Sequence, residues 1–538
     1  MTAEDHQEPD GSRSMSQVDP EPAPRAQVCL LLEGTYPYVA GGVSSWVHGI
    51  ISNLPDVTFA LLHIGAQRGG YGPARYILPA NVAELSELYC QAGPSSGPSS
   101  IATREELERR IRGLRRRRAQ APVSRTLVAF HRMHLDDHVD DALLADLARA
   151  DLSVAELLHG DAAFAVIREL YERLAPDVSF LDFFWHFRAM HVPLVRLLTA
   201  PVPDADCYHS VSTGYAGLVG AVASVRTCRP FLLTEHGLYA RERDMELSRA
   251  AWIRDPDRGD ARLPNARPSS LRRFWSRCFA ALSRVAYHQA RRIVALSEVL
   301  QRKQLAYGAA AHKVMIIPNG VVEPPGGVAD AGPEQRPEQR PEQRPGRARP
   351  LRVGFVGRVV PIKDVVTFLK ACDLALRSVD LDVRIIGPDN EDPYYARRCK
   401  ALVTMLSRDR EIRFVGPQPA AALYAELDVV VLTSFSEGQP LVILEAHAAG
   451  LPVIATDVGG CRELLEGRGG EDQALGPGGR VTRVASAAET AAAIIELAEA
   501  PWLRRRMGEA GRARVHAYYR TDQMIDRYRA LYRATLGA

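Results

Sequence analysis

The sequence predicts an α/β protein with two doubly wound domains, each built on a parallel β-sheet. The first observation is length, since 538 residues are too many for one ordinary hydrophobic core. The second is an alternation of short apolar runs with longer helical patterns in both halves of the chain. The third is a low-complexity segment, 326–350, that separates the two periodic regions.

The first periodic region, 26–325, predicts an N-terminal domain. A helix is expected from Val43 to Leu54, after a glycine-containing loop. The stretch 82–175 departs from the strand rhythm because it is charged and helical in pattern, and we interpret it as a helical insertion. The predicted strands are Val28–Leu32, Phe59–Ile64, Val178–Leu181, Cys207–Ser210, Phe231–Thr234 and Arg292–Leu296.

The second periodic region, 351–517, predicts a C-terminal domain. Its apolar runs are continuous and β-branched, which suits strands buried on both faces of a parallel sheet. Helices are expected at Asp364–Val379 and Leu441–Ala449. The predicted strands are Arg352–Val356, Asp382–Ile386, Ile412–Val415, Val429–Leu432 and Val453–Ala455.

Three segments flank or join these domains. Residues 1–25 are polar and rich in proline, serine and glycine, so they predict a disordered tail. Segment 326–350 repeats Pro-Glu-Gln-Arg three times, and this proline spacing prevents a regular helix and indicates a linker. Residues 518–538 have apolar side chains at helical spacing and predict a C-terminal helix that packs back on the first domain.

Charge and cysteine content narrow the class of protein. A net charge of +3 gives no case for nucleic-acid binding. None of the eight cysteines forms a CxxC pair, which fits a reducing cytosol better than a disulfide framework. The N-terminus lacks the features of a signal peptide, and no apolar run could span a bilayer. We therefore expect a cytoplasmic protein that is not transmembrane, either free or peripheral at the inner face of the membrane.

Two cations follow a predicted strand of the second domain. The strand Arg352–Val356 precedes Gly357, Arg358 comes next, and Lys363 lies five residues further on. Ligands of open parallel sheets bind at the carboxyl ends of strands, and there a guanidinium and an ammonium suit a diphosphate. Judged on spacing alone, the two could equally be ordinary surface charges of a loop.

Two glutamates surround the start of a predicted helix. Glu437 follows the strand Val429–Leu432, and Glu445 lies about one turn inside the helix that opens at Leu441. Backbone N–H groups at that helix N-terminus can hold a phosphate, and the carboxylates suit vicinal sugar hydroxyls. Taken alone, such a pair is weak support, because Glu445 could simply cap or pair on a helix surface.

Together these motifs resemble the retaining glycosyltransferases of family 4, which have the GT-B fold of two facing Rossmann-like domains. The resemblance covers most of the chain from Val28 and extends to Asn319-Gly320, Asp428 and Thr456–Gly460. Further segments are similar to the PelF-type glycosyltransferases of bacterial Pel exopolysaccharide synthesis. These segments are Glu33–Tyr38, Gly41–Ser44, Thr234–Arg243 and Asp457–Glu463.

The resemblance implies a role for each charged candidate. Arg358 and Lys363 would stabilise the leaving diphosphate, which needs no metal when two cations are present. Glu437 would contact the donor sugar, and Glu445 would hold the ribose hydroxyls. His236 resembles the active-site histidine near the sugar and acceptor.

The resemblance also implies residues around these groups. Arg241 and Glu242 would line the acceptor side, and the nucleotide base would pack where two strands end in Gly-Pro pairs. The other donor-binding residues implied are Gly41, Gly42, Asn319, Gly357, Gly387, Pro388, Gly416, Pro417, Gly438, Gln439, Pro440, Leu441 and Val442.

The implied activity is retaining, metal-independent transfer from a UDP-sugar, of the UDP-glucose or UDP-N-acetylhexosamine type, to a growing exopolysaccharide. Membrane-bound synthase or export subunits are the implied partners, and no cofactor is expected beside the donor. Two alternatives stay open: a GT-B-fold nucleotide-sugar epimerase, and a non-catalytic subunit that binds a nucleotide sugar. Asp364 after Lys363, and Gln439-Pro440, depart from the broad family pattern and leave the donor sugar open.

Two other charged segments are weaker candidates. His131, His134 and His138 share a helical pattern near Asp137, which we interpret as a solvated face rather than a metal site. The run Arg115–Arg118 is interpreted as charged surface, with anionic lipid or an acidic partner as the alternative.

Overall fold

The computed structural model describes residues 25–91, 123–250, 252–253, 269–323 and 349–537. Within these ranges the chain forms two parallel sheets, of seven and six strands. The predicted tail up to residue 24, the Arg115–Arg118 run and most of the predicted linker lie outside the described residues.

The first sheet has the strand order β3-β2-β1-β4-β5-β6-β7. Every neighbouring pair is parallel, and Val28 of β1 lies between Phe59 of β2 and Cys207 of β4. The strand order reverses between β1 and β4, which opens a crevice at their carboxyl ends. The strands β1 to β7 are Ala26–Glu33, Phe59–Gly65, Val82–Tyr89, Ala205–Ser210, Phe231–Glu235, Arg292–Ala295 and Val314–Ile316.

The second sheet has the strand order β10-β9-β8-β11-β12-β13. Val353 of β8 pairs with Val429 of β11, and the reversal between these two strands places their following loops at one edge of the sheet. Val429 to Leu432 are all buried, as expected for a strand covered by helices on both faces. The strands β8 to β13 are Leu351–Val356, Leu381–Ile386, Ile412–Gly416, Val429–Leu432, Val453–Thr456 and Gly479–Thr482.

Helices cover both sheets. Short 3₁₀ turns lie at Ala311–Lys313 and Pro361–Lys363. The helices of the first half, α1 to α10, are Gly42–Asn53, Arg125–Leu135, Asp141–Arg149, Val154–His159, Asp161–Leu174, Phe180–Thr199, Tyr215–Thr227, Tyr239–Arg249, Ser270–Gln289 and Glu298–Ala306. The helices of the second half, α11 to α19, are Val365–Ala375, Pro393–Met405, Ala420–Ala425, Leu441–Ala448, Cys461–Glu466, Gly470–Ala474, Ala487–Glu499, Pro501–Tyr518 and Thr521–Leu536.

Two predictions for the first domain are wrong. Residues 82–89 form the edge strand β3 rather than a helix, and its charged side chains are tolerated because an edge strand is half solvated. The predicted strand Val178–Leu181 is the start of helix α6. The Ser179 side chain caps that helix by accepting the N–H of Asp182 at 3.0 Å. The described helices within the predicted insertion are α2 to α5, and α6 follows them before β4.

The C-terminal helix α19 lies against the first sheet. Its buried Tyr528 and Tyr532 hydroxyls bond to Thr234 and His209 at 3.0 and 2.7 Å. Before this helix the chain crosses from the second domain, where the backbone N–H of Val321 donates to the carbonyl of Tyr519. Helix α19 therefore joins the last segment of the chain to the core of the first domain.

All eight cysteines are free, and all except Cys228 are buried. Burial raises the pKa of Cys90 and of Cys278 to about 12, so these thiols stay protonated at neutral pH. In the part of the chain that the structure describes, none of the helices combines the length and apolar character needed to cross a bilayer.

Candidate active site

Backbone hydrogen bonds join the carboxyl ends of strands β8, β9 and β10. The N–H of Gly357 donates to Ile386 at 2.8 Å, and the N–H of Gly387 donates to Gly416 at 3.0 Å. A Cβ on Gly387 would lie 2.1 Å from the carbonyl oxygen of Gly357, and the φ of Gly387 is +142°. Only glycine fits at this position. The structure thus brings Gly357, Gly387 and Gly416 together, with Pro388 and Pro417 next to them in the chain.

A compact ion pair lies at the same edge and joins the loop after β8 to the loop after β11. The Nζ of Lys363 lies 2.5 Å from Oε1 of Glu437. The same carboxylate oxygen accepts the hydroxyl of Ser434 at 2.6 Å. The side chains of Lys363 and Glu437 are only 19% and 10% exposed, so the pair is held in a partly desolvated place where its charges act strongly.

Arg358 is not brought to this ion pair. Its guanidinium lies 2.6 Å from a carboxylate oxygen of Glu391, and both side chains are about half exposed. An exposed ion pair of this kind adds little stability. The side chain of Arg358 can therefore exchange Glu391 for another anion at little cost.

Glu445 lies on the first turns of helix α14, one strand away from the glycine edge. Its carboxylate accepts the hydroxyl of Tyr424 at 2.6 Å. Helix α14 starts at Leu441 directly after Pro440, and its N-terminus faces the first domain, since a Cβ on Gly42 would lie 3.7 Å from the Leu441 side chain. The N-termini of α1 and α14 therefore approach each other across the cleft, with Gly41 as the cap of α1.

The two domains touch closely at one seam. A Cβ on Gly438 would lie 1.7 Å from the carbonyl oxygen of His236 in the first domain. The backbone N–H of Asn319 donates to the side-chain oxygen of Gln439 at 2.6 Å. Gly459 has a φ of +53° and leaves no room for a side chain, because a Cβ would meet the Glu437 carbonyl at 1.9 Å. The seam thus holds the loop of Glu437 against the first domain.

His236 is fixed by aromatic packing beside this seam. Its ring meets the ring of Trp46 edge to face at 4.7 Å between centroids. Its Nε2 is buried and has no hydrogen-bond partner among the described residues. Burial lowers the pKa of His236 to about 4, so the imidazole is neutral at pH 7 and can accept or donate one hydrogen bond.

Three acidic side chains lie around the start of helix α8, and two of them were not predicted. Glu33 ends β1 and Glu235 ends β5, and burial raises the pKa of both carboxyls. Burial also raises the pKa of Glu242 to about 7, against the opposing charge of Arg243. Glu33 and Glu235 stand at the carboxyl ends of predicted strands, and that position was the available signal.

Of the two residues predicted on the acceptor side, Glu242 lies at the cleft and Arg241 faces solvent. The carboxylate of Glu242 packs over Gly237, where a Cβ would lie 2.0 Å from its Oε1. Glu242 is half-buried, whereas Arg241 on the same helix is exposed. The structure therefore places Glu242 beside the His236 seam and leaves Arg241 on the outer face of α8.

A second contact between the domains was also missed. The carboxylate of Glu463 on helix α15 accepts the backbone N–H of Glu298 at the N-terminus of α10, at 3.0 Å. Arg468 lies 3.5 Å from the other oxygen of Glu463. Burial raises the pKa of Glu463 to about 7. The contact is therefore sensitive to protonation near neutral pH.

Replacing Glu463 by glutamine is expected to stabilise the protein at pH 8 and to leave it unchanged at pH 4.5. The pKa rises from 4.5 to about 7 on folding, so the native carboxyl contributes stability below pH 4.5 that is lost as pH rises through 7. Glutamine keeps the acceptor oxygen without the charge. At pH 8 the free energy of unfolding of the variant should therefore exceed that of the parent by about 3 kcal/mol. Urea unfolding at both pH values measures this, with Glu471→Gln at an exposed neighbouring site as the control.

A gain of equal size at both pH values would contradict the assignment to Glu463 ionisation. So would a gain of the same size in the Glu471 control. The expected signature is the pH dependence of the difference between the two variants, because a general effect on folding would not follow the titration of one carboxyl.

The three histidines of the insertion do not converge. Helix α2 ends at Leu135, so His138 lies beyond it. His134 is 1% exposed and its Nε2 lies 3.0 Å from Nε2 of His191, which corrects the prediction of a solvated face at that residue. His131 pairs with Glu169 at 3.0 Å. Among the described residues no group of three or more His, Cys, Asp or Glu side chains could hold a metal ion.

Two family models match the chain, one in each domain. The model described as "Domain of unknown function (DUF3492)" matches residues 26–312, more than half of the chain. The model described as "Glycosyl transferases group 1" matches residues 350–500, which include the Lys363–Glu437 pair and Glu445.

Two curated proteins resemble parts of the chain. The D-inositol 3-phosphate glycosyltransferase of Corynebacterium urealyticum is 34% identical over 126 residues, which are 22% of this chain and 30% of that protein. The N-acetyl-alpha-D-glucosaminyl L-malate synthase of Bacillus anthracis is 28% identical over 172 residues, 32% of this chain and 42% of that protein. The chain thus spans less than half the length of these curated relatives.

Two solved structures share the whole architecture. HepE of Anabaena in complex with UDP and glucose is 16% identical, with a TM-score of 0.54 over 94% of this chain and 99% of that chain. Sucrose-phosphate synthase of Thermosynechococcus elongatus is 17% identical, with a TM-score of 0.55 over 95% of this chain and 100% of that chain. At such identity the likeness shows the fold alone, and the predicted GT-B fold of two Rossmann-like domains is confirmed.

Proposed function

This chain belongs to the DUF3492 family and carries a glycosyl transferases group 1 domain, and from that premise we propose that it is a retaining, metal-independent glycosyltransferase. The proposed donor is a UDP-sugar of the UDP-glucose or UDP-N-acetylhexosamine type. The proposed acceptor is a growing bacterial exopolysaccharide.

The observation that carries the proposal is the Lys363–Glu437 pair at the seam of the cleft. The pair combines a cation at 2.5 Å from a carboxylate with a neighbouring hydroxyl from Ser434. A leaving UDP gains negative charge on its diphosphate, and a preformed cation stabilises that charge without reorganisation. The carboxylate then orients the hydroxyls of the sugar by accepting hydrogen bonds from them.

Each of the remaining site residues is proposed to contact a different part of the donor. Arg358 would release Glu391 and bind the diphosphate bidentately, which suits a guanidinium. Glu445 would hold the ribose hydroxyls and the glycine edge at Gly387 and Gly416 would accept the base. The N-termini of α1 and α14 add positive partial charge on the diphosphate from both domains.

The proposed transfer retains configuration at the sugar. We place the acceptor on the face of the sugar from which UDP leaves, so that its hydroxyl attacks through an oxocarbenium-like state. The leaving phosphate takes the hydroxyl proton, and His236, neutral at pH 7 because of its lowered pKa, accepts a hydrogen bond from the sugar. Closure of the two domains would exclude water from this step.

The biological setting is proposed from the motif resemblance. Glu33–Tyr38, Thr234–Arg243 and Asp457–Glu463 are similar to PelF-type glycosyltransferases, which favours an exopolysaccharide of the Pel kind. A cytoplasmic enzyme at the inner face of the membrane, working with membrane-bound synthase or export subunits, would fit that setting.

Incubation of the purified protein with UDP-, GDP- and ADP-linked sugars tests the proposal, with and without oligosaccharide acceptors and with EDTA. UDP release and glycan extension that persist in EDTA are expected. A changed nucleotide sugar formed without acceptor would instead indicate an epimerase. UDP binding seen as a thermal shift, with no turnover of any donor and acceptor pair, would indicate a non-catalytic subunit.

A further inference from the structure

Helix α8 leads from the neighbourhood of His236 to the loop that follows β11. It starts at Tyr239, three residues after His236, and ends at Arg249. There the guanidinium of Arg249 lies 5.5 Å from the ring centroid of Phe435, two residues before Glu437. The end of α8 therefore lies beside the loop that holds the proposed donor-sugar carboxylate.

An exposed tryptophan follows directly. Trp252 comes three residues after Arg249, a distance of at most about 11 Å along the chain. Its side chain is 56% exposed although it is large and apolar. An exposed indole near the loop of Glu437 has a ring face on which a ligand can stack.

Trp252 packs on two aromatic side chains in spite of its exposure. Its ring stacks on His186 at 5.4 Å with an interplanar angle of 25°, and it makes a T-shaped contact with Trp275 at 5.4 Å between centroids. The indole N–H of Trp275 donates to Nδ1 of His186 at 3.0 Å. We call Trp252, His186 and Trp275 the tryptophan platform.

The backbone under the platform is also fixed. The Arg272 guanidinium donates to the carbonyls of Ala250 and Ile253 at 3.2 and 3.3 Å, and the Ile253 side chain is buried. Trp252 is therefore clamped from both sides along the chain. A ring already fixed in this way loses little conformational entropy when a ligand stacks on it.

We propose that the tryptophan platform binds a sugar ring of the acceptor glycan, some residues behind the hydroxyl that reacts. A pyranose ring presents C–H groups on its face, and these carry the partial positive charge that complements the negative face of an indole. The proposal rests on the proposed function. It adds a subsite that holds a long acceptor while the chain end enters the cleft.

Steady-state kinetics with UDP-glucose and UDP-N-acetylglucosamine test this, with cello- and chito-oligosaccharides of two and six sugars as acceptors. Trp252→Ala is expected to raise KM for the hexasaccharide about tenfold, the loss of one stacking contact. KM for the disaccharide, KM for the donor and donor hydrolysis without acceptor are expected to stay unchanged. Trp252→Phe keeps a ring and should recover most of the affinity.

Trp502→Ala is the matched control. Trp502 is 66% exposed and lies at the start of helix α18 in the second domain, so its loss should leave all these constants unchanged. An unchanged hexasaccharide KM in Trp252→Ala overturns the inference while the proposed function stands. An equal rise in hexasaccharide KM in Trp252→Ala and Trp252→Phe, together with a lowered Tm, also overturns the inference, because Trp252 would then only support the fold.

Two further outcomes would contradict the proposed sugar subsite. If Trp252→Ala loses sedimentation with phosphatidylglycerol vesicles but keeps its hexasaccharide KM, the surface binds lipid and the inference is wrong. If the unaltered protein cleaves donor yet neither uses nor binds either hexasaccharide by calorimetry, the inference also fails. Absence of turnover with every donor would count against the proposed function itself.

Discussion

Lys363→Ala is expected to lower kcat for sugar transfer by about 10²- to 10³-fold, with a smaller effect on KM for the donor. The reason is that an electrostatic contact acts mainly on charge that develops in the transition state. The ammonium of Lys363 lies 2.5 Å from Glu437 in a partly desolvated place. Its removal takes away the proposed leaving-group cation and leaves the Glu437 carboxylate with the Ser434 hydroxyl but without a cationic partner.

Transfer assays stopped at fixed times measure kcat, and calorimetric titration with UDP measures nucleotide binding. Together they separate the effect on kcat from the effect on binding. Lys370→Ala is the control, because Lys370 is an exposed lysine on the neighbouring helix α11 and its loss should not change kcat. A Tm close to that of the unaltered protein would show that folding is intact. If kcat of Lys363→Ala stays within about threefold of the parent, the cation does not act on the leaving group.

Gly438→Ala is expected to lower kcat/KM at least about a hundredfold by separating the two domains at the seam. A Cβ there would lie 1.7 Å from the His236 carbonyl oxygen. The position of a Cβ is fixed by its own backbone and the carbonyl is backbone, so neither group can turn away. Relief requires a shift of the domains of more than about 1 Å, and a misplacement of that size in an active site has such a cost. UDP binding should fall less, because the glycine edge and Glu445 belong to one domain.

Kinetics and small-angle X-ray scattering measure this separation, the latter as a larger radius of gyration. Gly49→Ala is the control, since nothing lies within 4 Å of a Cβ at this position in helix α1. That variant is expected to keep full activity and to gain about 1 kcal/mol in the free energy of unfolding. Unchanged kcat/KM in Gly438→Ala would show that the seam opens without loss of function.

Much of the fold could be predicted because its signals are local. Continuous β-branched runs such as Val429–Leu432 identify strands buried on both faces, and the glycine after β8 marks the end of a strand at a ligand edge. The same logic failed at Val178–Leu181, where an apolar run of strand length opens a helix. A short apolar run does not by itself distinguish the two, and the Ser179 cap decided the outcome.

The candidate site was only partly readable for a similar reason. Spacing along one chain placed Lys363 and Glu437 after strands that lie side by side. Spacing did not predict that Arg358 would pair with Glu391 instead, because the choice between anions depends on loop geometry. Trp252 carried no motif at all, since its significance comes from His186 and Trp275, which lie far away in sequence.

The amino-acid sequence by itself determined the two-domain α/β class and the strand ends at which charged residues stand, because both depend on periodicity and strand order along the chain. The tertiary structure alone decided how the domains meet. Gly438 against His236, and Glu463 on the N-terminus of helix α10, join residues more than 150 positions apart. Such contacts depend on backbone approach between separate cores, and no local pattern of residues encodes that approach.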